Sequence, residues 1–223
     1  MRRSMTLNQT PGSAIYGRRL LSFYDPFVLG FSNRFVWRCP ARELLAFYNQ
    51  HVSARHLDIG VGTGYFLDKC RFPSPSPEIG LLDLNESALE VTAERIRRYQ
   101  PLKLCANVLE PLKLGVAPFQ SIGMNYLLHC LAGDMASKAV VFRNVKPLLA
   151  PGGVVFGATI LAAGVKRGWL ARRFMDIYNR KGVFGNAHDS LDGLKAVLEA
   201  SFPRYTVSVR GCAALFAGHA SAE

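Results

Sequence analysis

His56-Leu57-Asp58-Ile59-Gly60-Val61-Gly62-Thr63-Gly64 runs a short apolar stretch into three glycines at alternate positions, and a helical pattern starts directly behind them at Tyr65. A strand that turns through glycine into a helix presents unpaired backbone N–H donors at the helix start. Glycine also admits positive φ and has no side chain to hold a ligand away. In an open parallel sheet the ligand lies beyond the carboxyl ends of the strands, where strand order reverses. The stretch therefore predicts a binding loop as well as a fold.

Outward from this loop the chain alternates between helix and strand. Residues 41–52 have helical spacing, with Leu44, Leu45 and Tyr48 on one face. Residues 56–59, 79–84, 103–107, 121–127 and 153–160 are short apolar runs suited to strands covered on both faces. The alternation ends in a helix over 191–201 and two strands, 205–210 and 213–218, joined by Gly211-Cys212. The expected fold is α/β: a Rossmann-like, doubly wound, mostly parallel seven-stranded sheet with a C-terminal antiparallel hairpin. At 223 residues one domain is expected. Its parts are a helical cap over 12–40, a cofactor-binding core over 41–162, an insert over the active site at 163–188, and the final helix and hairpin at 189–220.

The glycine spacing excludes two nucleotide sites. A dinucleotide loop, Gly-x-Gly-x-x-Gly, needs its third glycine at position 65, which is Tyr65, and no Gly-Lys-Ser or Gly-Lys-Thr follows for a triphosphate. An acidic residue ahead of Gly-x-Gly-x-Gly instead resembles the first motif of class I S-adenosylmethionine-dependent methyltransferases. Later segments resemble that family in order and register over about residues 41 to 218: Asp83 at the end of the second strand, Ala106-Asn107-Val108 at the end of the third, Ile122 through His129 on the fourth, and Val145 through Gly153 before the fifth.

The resemblance implies S-adenosyl-L-methionine as cofactor and assigns residues to it. Asp58 would receive its cationic amino end, with Gly60, Gly62 and Gly64 forming the loop against it. Asp83 would accept the ribose hydroxyls and Leu84 would flank the adenine. Asn107, standing where the family usually has Asp, and Val108 would meet the adenine edge. Asn125 would lie beneath the methyl-transfer site. Tyr24, in a Tyr-Asp pair with Asp25, would close over the methionine end.

Methyl transfer from a sulfonium is an in-line displacement driven mainly by positioning, so no catalytic motif is required. His129, just past the fourth strand, is the candidate base, and it equally reads as a packed side chain. His188 could line the pocket, but Asn186-Ala187-His188-Asp189-Ser190 reads first as a helix start. Phe27, Phe31, Phe35 and Trp37 read either as core or as lining for an aromatic substrate. The insert's Lys166, Arg167, Arg172, Arg173, Arg180 and Lys181 read first as a solvated face, and would favour an acidic substrate if they met the pocket.

Twenty-seven Lys and Arg against 16 Asp and Glu give a net charge of +11, which keeps a nucleic-acid substrate in view. The fourth-strand segment argues against it, because Asn125-Tyr126-Leu127-Leu128 lacks the prolines of an Asn-Pro-Pro-Tyr segment. A nucleotide-dependent oxidoreductase, or a cofactor-binding module without methyl transfer, stands as the alternative from another class. Five scattered cysteines suit a reduced, cytoplasmic protein and give no zinc spacing, so no metal is expected. No apolar run approaches the roughly 20 residues that span a bilayer. The expected partner is a small-molecule substrate, and nothing sets the oligomeric state.

Overall fold

β1 (Arg55–Ile59) lies inside a seven-stranded sheet ordered β3-β2-β1-β4-β5-β7-β6. The structure is a computed structural model that describes residues 32–222. Tyr24 and the 12–31 part of the expected cap lie outside those residues. β2 (Glu78–Asp83), β3 (Leu102–Cys105), β4 (Phe119–Asn125) and β5 (Leu149–Ile160) run parallel to β1, while β6 (Arg204–Arg210) and β7 (Ala213–His219) form the antiparallel hairpin beside β5. Strand order reverses between β1 and β4, so the glycine loop leaves β1 at the switch point.

Alternation along the strands separates the two faces. Leu57, Ile59, Ile122, Met124 and Val155 face α4 (Met135–Val145) and α6 (Leu191–Ser201) in the largest core cluster. Leu81, Val154 and Phe156 face α1 (Ala41–His51), α2 (Tyr65–Lys69) and α3 (Glu86–Arg95) in a second cluster. Each fully buried Leu, Ile or Phe contributes about 1.5–3 kcal/mol of transfer free energy, so helices on both faces are needed to cover such strands. Side-chain caps fix where the helices begin. Asn85 accepts from the Ser87 N–H at α3, Asp134 from the Ser137 N–H at α4, and Ser190 from the Gly193 N–H at α6.

A third cluster sits beyond β5. Val36 and Trp37 pack with Ile160, Ala162 and Cys212, and with Ala171 and Met175 of α5 (Trp169–Arg180), the helix of the insert. The Cys212 N–H donates to the Trp37 carbonyl at 2.8 Å, which ties this segment to the β6–β7 turn.

Several strand ends differ from the sequence expectation, for local reasons. β3 stops at Cys105 because Asn107 turns on itself, its Oδ1 accepting the Leu109 N–H at 3.0 Å. β4 stops at Asn125 because Tyr126 has φ +61°. β5 starts at Leu149, four residues before the expected 153, and its pairing with β4 shifts register between Phe119 and Ser121. No described helix is long and apolar enough to cross a membrane.

Candidate active site

The loop after β1 is held from behind by α3. The Thr92 hydroxyl donates to the Gly62 carbonyl at 3.2 Å and Arg95 donates to the Thr63 carbonyl at 3.1 Å. Gly64 has φ +72°, and a Cβ there would stand 2.8 Å from Thr92 Cγ2, so this glycine permits loop and helix to pack closely. Gly62 has φ +55° and a Cβ there would meet nothing within 4 Å among the described residues. Its bare side opens onto space in which a ligand can lie against the backbone.

Two carboxylates flank that opening. Asp58, one residue before the end of β1, is almost fully buried, its Oδ2 accepting the Tyr48 hydroxyl at 2.6 Å. Asp83 ends β2, and its Oδ1 accepts the Asn85 N–H at 2.9 Å. Burial pushes the Asp83 carboxyl above the usual range and the nearby Asp58 charge adds to this, while backbone N–H groups of Asn85, Val61 and Leu84 act against it. A raised carboxyl beside an open loop is one that further donors would stabilise as the anion. Leu84, next along, is 46% exposed.

Asn107 and Val108 follow β3, which pairs with β2 so that Asp83 lies opposite Cys105. The Asn107 amide already serves its own turn, with Nδ2 donating to Glu110 at 3.2 Å. Val108 is buried and its carbonyl accepts from Asn144 Nδ2 at 2.9 Å. Asn125 ends β4 on the same face as Asp58, whose register partner is Gly123. Both amide atoms of Asn125 are buried without a hydrogen-bond partner among the described residues. A buried polar atom left unpaired costs about 1–3 kcal/mol, and a ligand at the strand ends would supply what is missing. The open side of Gly62 and the unpaired amide of Asn125 fit a polar cofactor laid across the switch point.

His129 lies in the turn after β4 and is 3% exposed. Its Nδ1 accepts the Ile160 N–H at 3.2 Å, and the Phe184 and Tyr126 rings stand 4.6 and 5.2 Å from its own. Burial, with a smaller push from the Lys138 charge, lowers it to about 3, so the ring is neutral. With Nδ1 accepting, the ring proton sits on Nε2 and no ring lone pair is left to take another. His188 is exposed and Ser190, not His188, caps α6. Trp37 is buried 5.7 Å from Phe184 and 6.4 Å from Tyr178, whereas Phe35 is exposed. Of the six basic residues of the insert, Lys166, Arg172, Arg173, Arg180 and Lys181 are exposed, and Arg167 is half-buried against the Met175 sulfur at 3.7 Å.

Other functional-looking groups were not read from sequence. Lys138 and Asp189 form a buried ion pair at 2.6 Å, and Lys138 also donates to the Gly185 carbonyl at 3.0 Å. Tyr48, His56 and Ser121 form a buried polar chain behind Asp58. His56 sits two residues before Asp58, so strand alternation alone places both on one face. Among the described residues, no cluster of three or more His, Cys, Asp or Glu could hold a metal.

Comparison with known proteins bears on the same segments. A family described as a methyltransferase domain matches residues 57–155. Demethylluteothin O-methyltransferase of Streptomyces thioluteus is 40% identical over 205 residues, covering 92% of this chain and 89% of that protein. Physcion biosynthesis cluster O-methyltransferase of Aspergillus chevalieri is 38% identical over 210 residues, covering 92% and 93%. Among solved structures, the N-methyltransferase NodS from Bradyrhizobium japonicum WM9, in complex with S-adenosyl-L-homocysteine, shares the fold at TM-score 0.63 and 18% identity, covering 96% of this chain and all of that one.

Proposed function

We propose that this chain, which belongs to the class I S-adenosylmethionine-dependent methyltransferases, methylates an acidic hydroxyl oxygen, enol or phenol, of a small secondary metabolite. The reading is carried by the open, glycine-lined switch point flanked by Asp58, Asp83 and the unpaired amide of Asn125. Oxygen as acceptor and a secondary metabolite as substrate are supported by the names of the relatives, which cover nine-tenths of the chain.

When bound, S-adenosyl-L-methionine supplies a methyl group on a positively charged sulfur, already activated for displacement. Asp58 receives the ammonium at its amino-acid end, over the backbone of Gly60, Gly62 and Gly64. Asp83 accepts the ribose hydroxyls. Leu84 and Val108 flank the adenine, and Asn107 offers its edge the second amide hydrogen and the second lone pair that its own turn leaves over. Asn125 would pair its amide with the cofactor near the reacting centre. The 163–188 insert would cover the acceptor.

In the transfer a carbon–sulfur bond breaks as a carbon–oxygen bond forms, with the thioether as leaving group. An acidic enol or phenol gives its proton to solvent beforehand, so the protein has to orient an oxyanion and exclude water more than abstract a proton. The placement of His129 agrees with this, since neither of its ring nitrogens is available as a base. The five cysteines are free thiols, which supports a reducing, cytoplasmic setting.

The test is incubation of the purified protein with methyl-tritiated S-adenosylmethionine and a panel of cyclic enols, phenols, amines and thiols. Label recovered as methyl ethers is the expected result. Label appearing only in amine, thiol or carbon products would overturn the oxygen assignment.

A further inference from the structure

Behind Asp58 runs a hydrogen-bonded chain that the sequence motifs do not mark. His56 and Asp58 both face α1, where the Tyr48 hydroxyl stands 2.6 Å from Asp58 Oδ2 and 2.7 Å from His56 Nε2. On its other side, His56 Nδ1 lies 2.8 Å from Ser121 Oγ of β4. That oxygen accepts the Ser53 N–H at 3.0 Å and meets Ser53 Oγ at 2.7 Å. Tyr48, His56 and Ser121 are wholly buried.

Counting protons gives the chain a direction. The Tyr48 hydroxyl carries one hydrogen and a carboxylate only accepts, so that hydrogen goes to Asp58. His56 Nε2–H must then donate to the Tyr48 oxygen, and on the other side of the ring Nδ1 shares one hydrogen with the Ser121 hydroxyl. Two donors in series, His56 Nε2–H and the Tyr48 hydroxyl, thus point toward the carboxylate, where successive dipoles reinforce one another. Burial first, and then the Asp58 charge, hold the Tyr48 hydroxyl in its protonated, donating form. The Tyr48 ring has separate support: it stacks on Phe66 at 5.7 Å and meets Phe156 edge-on at 5.1 Å. Packing alone accounts for the ring but not for the hydroxyl.

We propose that Tyr48 and His56, backed by Ser121, are positioning residues for cofactor binding: they fix the Asp58 carboxylate before the ligand arrives, so that the cofactor's ammonium meets an oriented acceptor. This rests on the reading of Asp58 as the ammonium acceptor. An acceptor already held in place loses less freedom on binding than one that must be ordered by the ligand. The same chain explains why β4 carries glycine at position 123. A Cβ there would lie 3.1 Å from the His56 ring and 3.2 Å from Asp58 Oδ2.

The experiment is calorimetric titration with two ligands, S-adenosylhomocysteine and 5′-methylthioadenosine, the second lacking the amino-acid end. Asp58→Asn weakens S-adenosylhomocysteine roughly tenfold or more and leaves 5′-methylthioadenosine within about twofold. Tyr48→Phe, which keeps the ring, produces the same selective loss at roughly fivefold to tenfold, and adds nothing in an Asp58→Asn background. Ser121→Ala, at the far end of the chain, gives a smaller selective loss and serves if Tyr48→Phe fails to fold. Equal weakening of both ligands, or of neither, by Tyr48→Phe and Ser121→Ala while Asp58→Asn acts selectively would overturn the positioning role alone. An Asp58→Asn variant with unchanged affinity would overturn the Asp58 reading as well.

Discussion

The carboxyl ends of β1 and β2 carry two carboxylates and bare glycine backbone, whereas those of β4 and β5 run into aromatic rings and one fully buried ion pair. At the first end the residue types answer to a ligand: an acceptor at Asp58, another at Asp83, and open space at Gly62. At the second, Asn125 apart, they answer to one another. Phe184 and Tyr126 clasp His129, while Trp37 packs on Tyr178, and Lys138 and Asp189 join α4 to the segment before α6. Ligand chemistry constrains the identity and spacing of single residues, while packing constrains only volume and partners. Substitutions at the two ends should therefore fail differently, in affinity at one and in stability at the other.

The largest effect expected is at the second end. Lys138→Met leaves Asp189 buried without its counter-charge and should cost about 3–5 kcal/mol of stability in urea unfolding. Cofactor affinity of the fraction still folded should stay within about threefold, which is under 1 kcal/mol. A parallel collapse of affinity would mean that the two ends are not separate.

Asp83→Ala should do the reverse. It removes the acceptor proposed for the ribose hydroxyls and weakens cofactor binding by about 1–3 kcal/mol in calorimetry, while stability changes little. Gly62→Ala sharpens the contrast within the loop. The left-handed φ costs it about 1–2 kcal/mol of stability, but its new methyl enters the open side and should reduce cofactor affinity beyond that strain. At Gly64 the same substitution meets Thr92 and should act mainly on stability.

The smallest effect is a pH dependence at His129. Its folded value, about 3, lies below the ordinary 6.5, so the unfolded chain binds one more proton between those limits. The stabilisation is complete above pH 6.5 and is lost as pH falls, at about 1.4 kcal/mol per pH unit. Urea unfolding of wild type and His129→Gln at pH 7 and pH 5.5 should show a shallower slope for the variant. Turnover measured alongside should fall less than tenfold, since a general base would cost roughly 100-fold or more.

The difference between the two ends also governs what could be read from sequence. The doubly wound, mostly parallel sheet and its terminal hairpin follow from short apolar runs and turn residues, and the structure bears them out. Gly60, Gly62 and Gly64 have positive φ, as a tight turn requires, and Asp83 sits against the loop. The Lys138–Asp189 pair was hidden because its partners lie 51 positions apart and neither stands in a motif. Asn107 follows the third strand, but part of its amide is spent on its own turn, a competition between local and ligand hydrogen bonds that a motif does not express. His56 was legible by alternation from Asp58. Tyr48 was legible only as a core residue, since a helical pattern shows a buried ring and not where its hydroxyl points.

The most direct test of the central claim is calorimetric titration of the purified chain, freed of carried-over ligand, with S-adenosylmethionine and separately with NAD. Saturable binding of S-adenosylmethionine with no heat from NAD is the predicted result. Binding of NAD alone, or of neither by a folded protein, would contradict the assignment of the glycine loop to S-adenosylmethionine.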